Sequence, residues 1–260
     1  MTPPKRRDWT PPKRPLAASP RGGASTGPAE PDPRRPLDRM RLLGWRVAAA
    51  LALVGCASGP VAPDWEANAA SALDAAVTGY LVGDVRAQTL HVDLARREIA
   101  RTGRPALMAR AELMMCAAAV ASLVFEPCVG FERLKADAEP AERAYAQYLA
   151  ALPLARDDIE RLPAAQRPAA AAVAGGDAAL AGVQSTEDPL SRLIAIGVLF
   201  QAGKASPDMI ALAADTASAQ GWRRPLLAWL QVQARLAEAA GNAAEAQRLR
   251  RRIELVLNAR

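Results

Sequence analysis

One histidine, three cysteines and eleven aromatic residues are spread over 260 positions, so the side chains on which most metal sites, catalytic triads and stacking sites are built are scarce. His91 stands alone, with no serine or cysteine placed beside it by any motif, so no triad can be assembled around it. On its helix it borders a stripe of Val85, Val92 and Ile99, which reads as a packed or hydrogen-bonded structural histidine. The cysteines form no Cys-x-x-Cys pair, so no metal site is expected. Glycine-rich phosphate loops, dinucleotide fingerprints and haem-attachment motifs are also missing, and no cofactor is assigned. Long apolar runs are lacking as well. Val47–Val54 ends after eight residues and the uncharged stretch Leu113–Phe125 after thirteen, short of the ~20 needed to cross hydrocarbon. Runs alternating polar with β-branched residues, the mark of a strand, are nearly absent.

What is present is charge, unevenly placed. The net charge is +6, yet residues 1–55 hold eleven Lys and Arg against four Asp and Glu, while the remainder holds twenty-two against twenty-three. Nucleic-acid affinity comes from Lys and Arg neutralising phosphates. The basic excess falls in a segment with another explanation, so no nucleic-acid partner is expected.

That explanation begins at Met40, where Arg41 and Arg46 precede the apolar run Val47–Val54, the order of a secretory signal. Leu53-Val54-Gly55-Cys56 closes the run, and Ala57-Ser58-Gly59-Pro60 follows as a tether. These four residues resemble the lipobox of bacterial lipoproteins. The resemblance implies that Cys56 carries a diacylglyceryl thioether and an acylated amine, with residues 40–55 removed as signal peptide. Several acyl chains at ~0.8 kcal/mol per buried CH₂ hold a protein on a bilayer far more firmly than one. Ala57, where an inner-membrane retention signal would have Asp, implies sorting to the periplasmic face of the outer membrane. Residues 1–39 contain ten prolines and scattered arginine and cannot bury enough surface to fold. They read either as sequence upstream of a true start at Met40 or as a disordered extension.

From residue 64 onward, helix punctuation dominates. Asp64 opens a segment ending near Gly83, and Asp84 opens one ending at Thr102-Gly103. Pro105 opens a third, read as far as Phe125 and stopped by Glu126-Pro127. Because Leu113–Phe125 carries no charge, that helix is expected to be wrapped by others. Ser206-Pro207-Asp208 opens a later helix, and Gly203, Gly221 and Gly241 mark C-termini. Pro153, Pro163, Pro168, Gly175-Gly176 and Pro189 predict short helices in between, with a candidate sub-boundary at 151–186 inside a helical domain over 64–260.

Near the C-terminus, Leu226, Trp229, Leu230 and Ala237 form one stripe and Ala246, Leu249, Ile253, Val256 and Leu257 another. Ala239-Ala240-Gly241-Asn242 is short enough to force the two helices antiparallel. Trp229, Ala234, Ala237, Gly241 and Ala246 resemble a tetratricopeptide helix pair over about one repeat, with Ala243 where that pair has a large residue. The expected fold is therefore all-α: antiparallel helical hairpins stacked as a bundle or a short tetratricopeptide-like solenoid, residues 56–63 being the lipidated tether.

Chemistry is thinner. Cys116 and Cys128 are a disulfide candidate in an oxidising compartment. A helix continuing to Phe125 climbs about 13 Å past Cys116 and leaves only three residues to return, so a bridge and two buried thiols both stand. Asp93, Arg96, Arg97, Glu98 and Arg101 read as an ion-pair face, with Asp93 opposite Arg97 at i,i+4. Asp157, Asp158 and Glu160 are the carboxylates from which a sugar-cleaving acid and base could be drawn. The run Ala95–Gly103, with Glu112, Cys116, Ser122–Cys128 and Gly130-Phe131-Glu132, resembles a group of uncharacterised proteobacterial outer-membrane lipoproteins, which implies a location and no activity. The function expected is a non-enzymatic, lipid-anchored scaffold with a protein partner in the cell envelope. A peptidoglycan-acting enzyme and a structural tether are the alternatives.

Overall fold

Short polar side chains begin many of the helices. Asp84, Asp188, Ser206 and Asn242 each accept a hydrogen bond from the backbone N–H three residues on, at 2.9, 2.7, 3.2 and 3.1 Å, which occupies one of the donors a helix start leaves unpaired. Gly203, Gly221 and Gly241 sit at left-handed φ of 70°, 67° and 70°. Each ends its helix with the paired backbone bonds of a Schellman motif, as for Asn242 N–H to Ala237 O and Gly241 N–H to Glu238 O. The computed structural model describes residues 63–177 and 180–259. The signal, the lipobox with Cys56 and nearly all of the tether lie outside the described residues.

Twelve α-helices and no strand occur among the described residues: α1 Asp64–Val82, α2 Val85–Ala100, α3 Pro105–Ala121, α4 Val129–Glu132, α5 Pro140–Leu149, α6 Arg156–Arg161, α7 Arg167–Val173, α8 Leu180–Gln184, α9 Pro189–Gln201, α10 Pro207–Ala219, α11 Arg223–Ala239 and α12 Ala243–Asn258. The all-α expectation holds. So does the hairpin expectation, because α1 packs on α2, α10 on α11 and α11 on α12 across short turns. The described residues fall in one compact unit, and its main hydrophobic cluster runs from Ala109 to Leu249 through the short central helices. Within 151–186, Leu154, Leu162, Ala169, Ala170 and Ala172 are buried in that common core.

Helices α3 and α9 are the hubs, α3 touching α1, α2, α4, α5 and α9. Its uncharged second half is wrapped as expected, with Leu113, Ala117, Ala118, Val120 and Ala121 buried. It does not reach Phe125. It stops at Ala121, and Leu123 takes a left-handed φ of 58°, while Leu123 N–H bonds Val120 O and Val124 N–H bonds Ala119 O. This is a Schellman stop with leucine in glycine's usual place. Apolar composition alone does not betray such a stop.

Across α3 lies α9, buried from Leu193 to Leu199. The two approach so closely at Gly197 that a Cβ there would stand 2.5 Å from the Val120 carbonyl oxygen. Trp229 of α11 is fully buried beside them and donates its indole N–H to Ala121 O at 3.1 Å. Farther out, Arg224 lies 4.2 Å over the Tyr80 ring and donates to Tyr80 O at 2.9 Å, which ties α11 to α1. In α12 the expected stripe is buried at Ala246 and Leu249, half-buried against the core at Ile253 and Val256, and exposed at Leu257.

Gly197→Ala is expected to destabilise the protein by about 2 kcal/mol despite alanine's better helix propensity, because an inserted methyl in a close-packed contact costs about 1–3 kcal/mol net. Gly182→Ala in α8 is the control. Its Cβ would meet only the Pro168 Cβ at 3.5 Å, so it should be neutral or gain up to about 1 kcal/mol. Urea midpoints of the two variants check both.

Candidate functional site

Two concavities lie on opposite sides of α3's loop-facing end and its first turns. The first is a cavity of about 420 Å³ between α3, α5 and the turn after α6, walled by Leu113, Met114, Tyr145, Leu162 and Pro163. Glu142 is buried in its wall at 4% exposure, and one carboxylate oxygen accepts from Arg110 Nε at 3.0 Å and Nη2 at 2.7 Å. Its other oxygen is buried with no hydrogen-bond partner among the described residues. Arg110 itself is largely exposed, so its guanidinium caps the buried carboxylate from the solvent side. Behind this wall Tyr148 donates to Gln166 Oε1 at 2.6 Å, and Gln166 Nε2 donates to Ser191 O at 3.1 Å. Burial pushes the Tyr148 and Tyr145 hydroxyls well above the ordinary tyrosine range, since phenolate would be desolvated there. Burial raises Tyr80 too, against the nearby Arg224 cation.

The second concavity is a groove of about 490 Å³ running between α3, the 122–128 loop, α4 and the end of α5. Its floor is Met115, Ala119, Val120, Phe131 and Leu149, and its loop wall is Val124, Phe125 and Pro127. Cys116 and Cys128 line it as a disulfide, with Cα atoms 5.9 Å apart. Stopping α3 at Ala121 removes the geometric objection raised by a longer helix: the climb past Cys116 is only about 7 Å at 1.5 Å per residue, and residues 122–127 make the return. Charged groups on the groove are Glu112, Glu126 and Glu132, with no lysine or arginine among its lining residues. Glu112 accepts from Arg96 Nε at 2.7 Å and Nη2 at 2.9 Å, a two-point bridge from α2 to α3. Gly130 lies against it, and a Cβ there would overlap the Glu112 carboxylate and push it from its place beside Arg96.

The other residues read from the sequence fall outside these concavities. His91 is half-buried on α2, and its Nδ1 is buried without a hydrogen-bond partner among the described residues. Asp93 meets Arg96 at 3.8 Å and forms no ion pair with Arg97, and the same Arg96 guanidinium reaches Glu112 on α3. Asp158 pairs with Arg161 at 2.8 Å and Glu160 with Arg156 at 3.4 Å along the exposed helix α6, an i,i+3 and i,i+4 arrangement that supports a short helix. Glu112, Glu142 and Phe125 are the residues that sequence reasoning missed. A signal existed for Glu112, the only carboxylate of an otherwise apolar helix that carries one other charged residue, Arg110.

Comparison with protein-family models, curated proteins and solved structures finds no match. The class that the architecture defines is an all-helical domain of packed hairpins around one central helix, with a disulfide-walled groove on its surface.

Two expectations follow from this geometry. Opening the Cys116–Cys128 bridge, by reductant or by the double Cys→Ser variant, should cost about 3 kcal/mol, the loop-closure value for a loop of this length; an unchanged urea midpoint with two free alkylatable thiols would show that no bridge forms. Separately, the raised tyrosine pKa values link stability to alkaline pH. The folded tyrosines keep protons that the unfolded chain releases near pH 10, so their contribution is full below about pH 10 and is lost as pH rises through the folded values. Urea midpoints should therefore fall between about pH 9 and pH 11.5, together with a late rise in phenolate absorbance.

Proposed function

We propose that the chain is a lipid-anchored interaction module on the periplasmic face of the outer membrane, held by acyl groups on Cys56 and presenting its helical body to a protein partner. The observation that carries this reading is the order of features in the sequence: arginines, an apolar run, Leu53-Val54-Gly55-Cys56 and a small-residue tether, directly before a folded body beginning at Asp64. A pair of cysteines set for bonding suits an oxidising compartment. Stacked helical hairpins present extended faces of the kind that bind peptides and proteins, an analogy at the level of fold. The carboxylates most deeply placed at the two concavities, Glu142 and Glu112, are each engaged by an arginine. That arrangement suits recognition better than general acid and base work, which favours this reading over a peptidoglycan-acting enzyme.

The test is the intact mass of the protein from the membrane fraction of its own host, before and after reduction and alkylation. The expected mass is that of residues 56–260 with acyl chains on Cys56, with alkylation of two further cysteines only after reduction. An unacylated chain starting at Met1 or Met40 would overturn the anchor and the location together.

A further inference from the structure

We infer that the disulfide-walled groove is the docking site for an extended partner segment whose apolar side chains are flanked by lysine or arginine. The inference rests on the interaction-module reading and names its binding face and the chemistry of its partner. The floor is apolar and the charged groups lining the groove are all carboxylates: Glu112 is engaged by Arg96, Glu132 meets the exposed Lys135 at 3.3 Å, and Glu126 has no ion-pair partner among the described residues. An apolar segment with basic flanks therefore matches both features, whereas an acidic one would set like charges against the rim.

The loop that makes one wall is built to hold its shape. It is fixed at one end by the Schellman stop of α3 and at the other by the Cys116–Cys128 bridge. Phe125, 37% exposed on this wall, stacks at 6.4 Å on Phe200, whose ring edge meets the buried Trp229 at 5.6 Å. An aromatic side chain that is exposed yet seated on the core supplies contact area at low entropic cost. The two non-glycine residues with positive φ among the described residues, Leu123 at 58° and Ala151 at 54°, adjoin the groove-lining Val124 and Ala150. Conformations of this kind persist where surrounding structure over-determines them, and they cluster at binding sites. Here both shape the same groove.

The experiment uses the purified oxidised protein and two dye-labelled probe peptides, each with a leucine-phenylalanine-leucine centre, one flanked by lysines and the other by glutamates. Fluorescence polarisation should show the lysine peptide binding about tenfold or more tightly than the glutamate peptide, since each exposed charge contact contributes a few-fold. The preference should shrink as salt screens the rim. Glu126→Lys with Glu132→Lys should abolish or reverse the preference without changing the helical circular dichroism. Equal binding of the two peptides, or binding of neither, would overturn the inference. A preference untouched by the double variant would place the binding face elsewhere and leave the module reading standing. Concentration-dependent dimerisation that protects Phe125 would assign the groove to a second copy of the chain and overturn it as well.

Discussion

The close crossing of α9 over α3 is the constraint on which the rest of this protein depends. At Gly197 the two backbones come near enough for the Val120 carbonyl to occupy the space a side chain would need. Around that point the buried positions are small: Ala117, Ala118 and Ala121 on α3, with Ala213, Ala214 and Ala217 on α10. A chain with so few aromatic residues cannot fill a wide interhelical space with large side chains, so it brings the helices together. Dispersion then accumulates over many short contacts. The few large residues present are placed where they do most. Trp229 closes the core at the end of α3 and bonds the Ala121 carbonyl that the helix leaves unpaired.

The early end of α3 follows from the same crossing and creates the surface feature of interest. Had the helix continued to Phe125, Cys116 and Cys128 would be separated along it and the groove would not exist. Its stop at Ala121 frees six residues to fold back, which sets the two sulfurs together and turns Phe125 outward over Phe200. Leucine in a left-handed conformation costs about 1–2 kcal/mol. Leu123 offsets that cost by packing against the core, and the disulfide constrains the loop that follows.

Arginine organises the polar part of the fold. Arg96 and Arg110 each hold a carboxylate of a neighbouring helix, and Arg192 gathers the Thr186 carbonyl and the Thr216 hydroxyl. Buried carboxylates such as Glu142 are thereby paired with guanidinium groups that remain partly in solvent, which avoids isolating both charges from water. At both concavities the more buried carboxylate, Glu142 at one and Glu112 at the other, is held by an arginine.

Much of this architecture was legible from residue pattern. The helix starts at Asp84 and Ser206, the stops at Gly203, Gly221 and Gly241, the final hairpin and the broken central region all follow from local rules, because capping and periodicity act over a few residues. The order of arginines, apolar run and Leu53-Val54-Gly55-Cys56 belongs to the sequence as well. Three features were decided only by tertiary structure. The stop at Ala121 has no glycine or proline to announce it, and it depends on α9 and Trp229 meeting the end of α3. The bridge from Arg96 to Glu112, made in addition to the contact with Asp93 on its own helix, depends on how α2 crosses α3. The groove itself joins residues from four elements, and no local pattern can report an alignment that packing between distant segments creates.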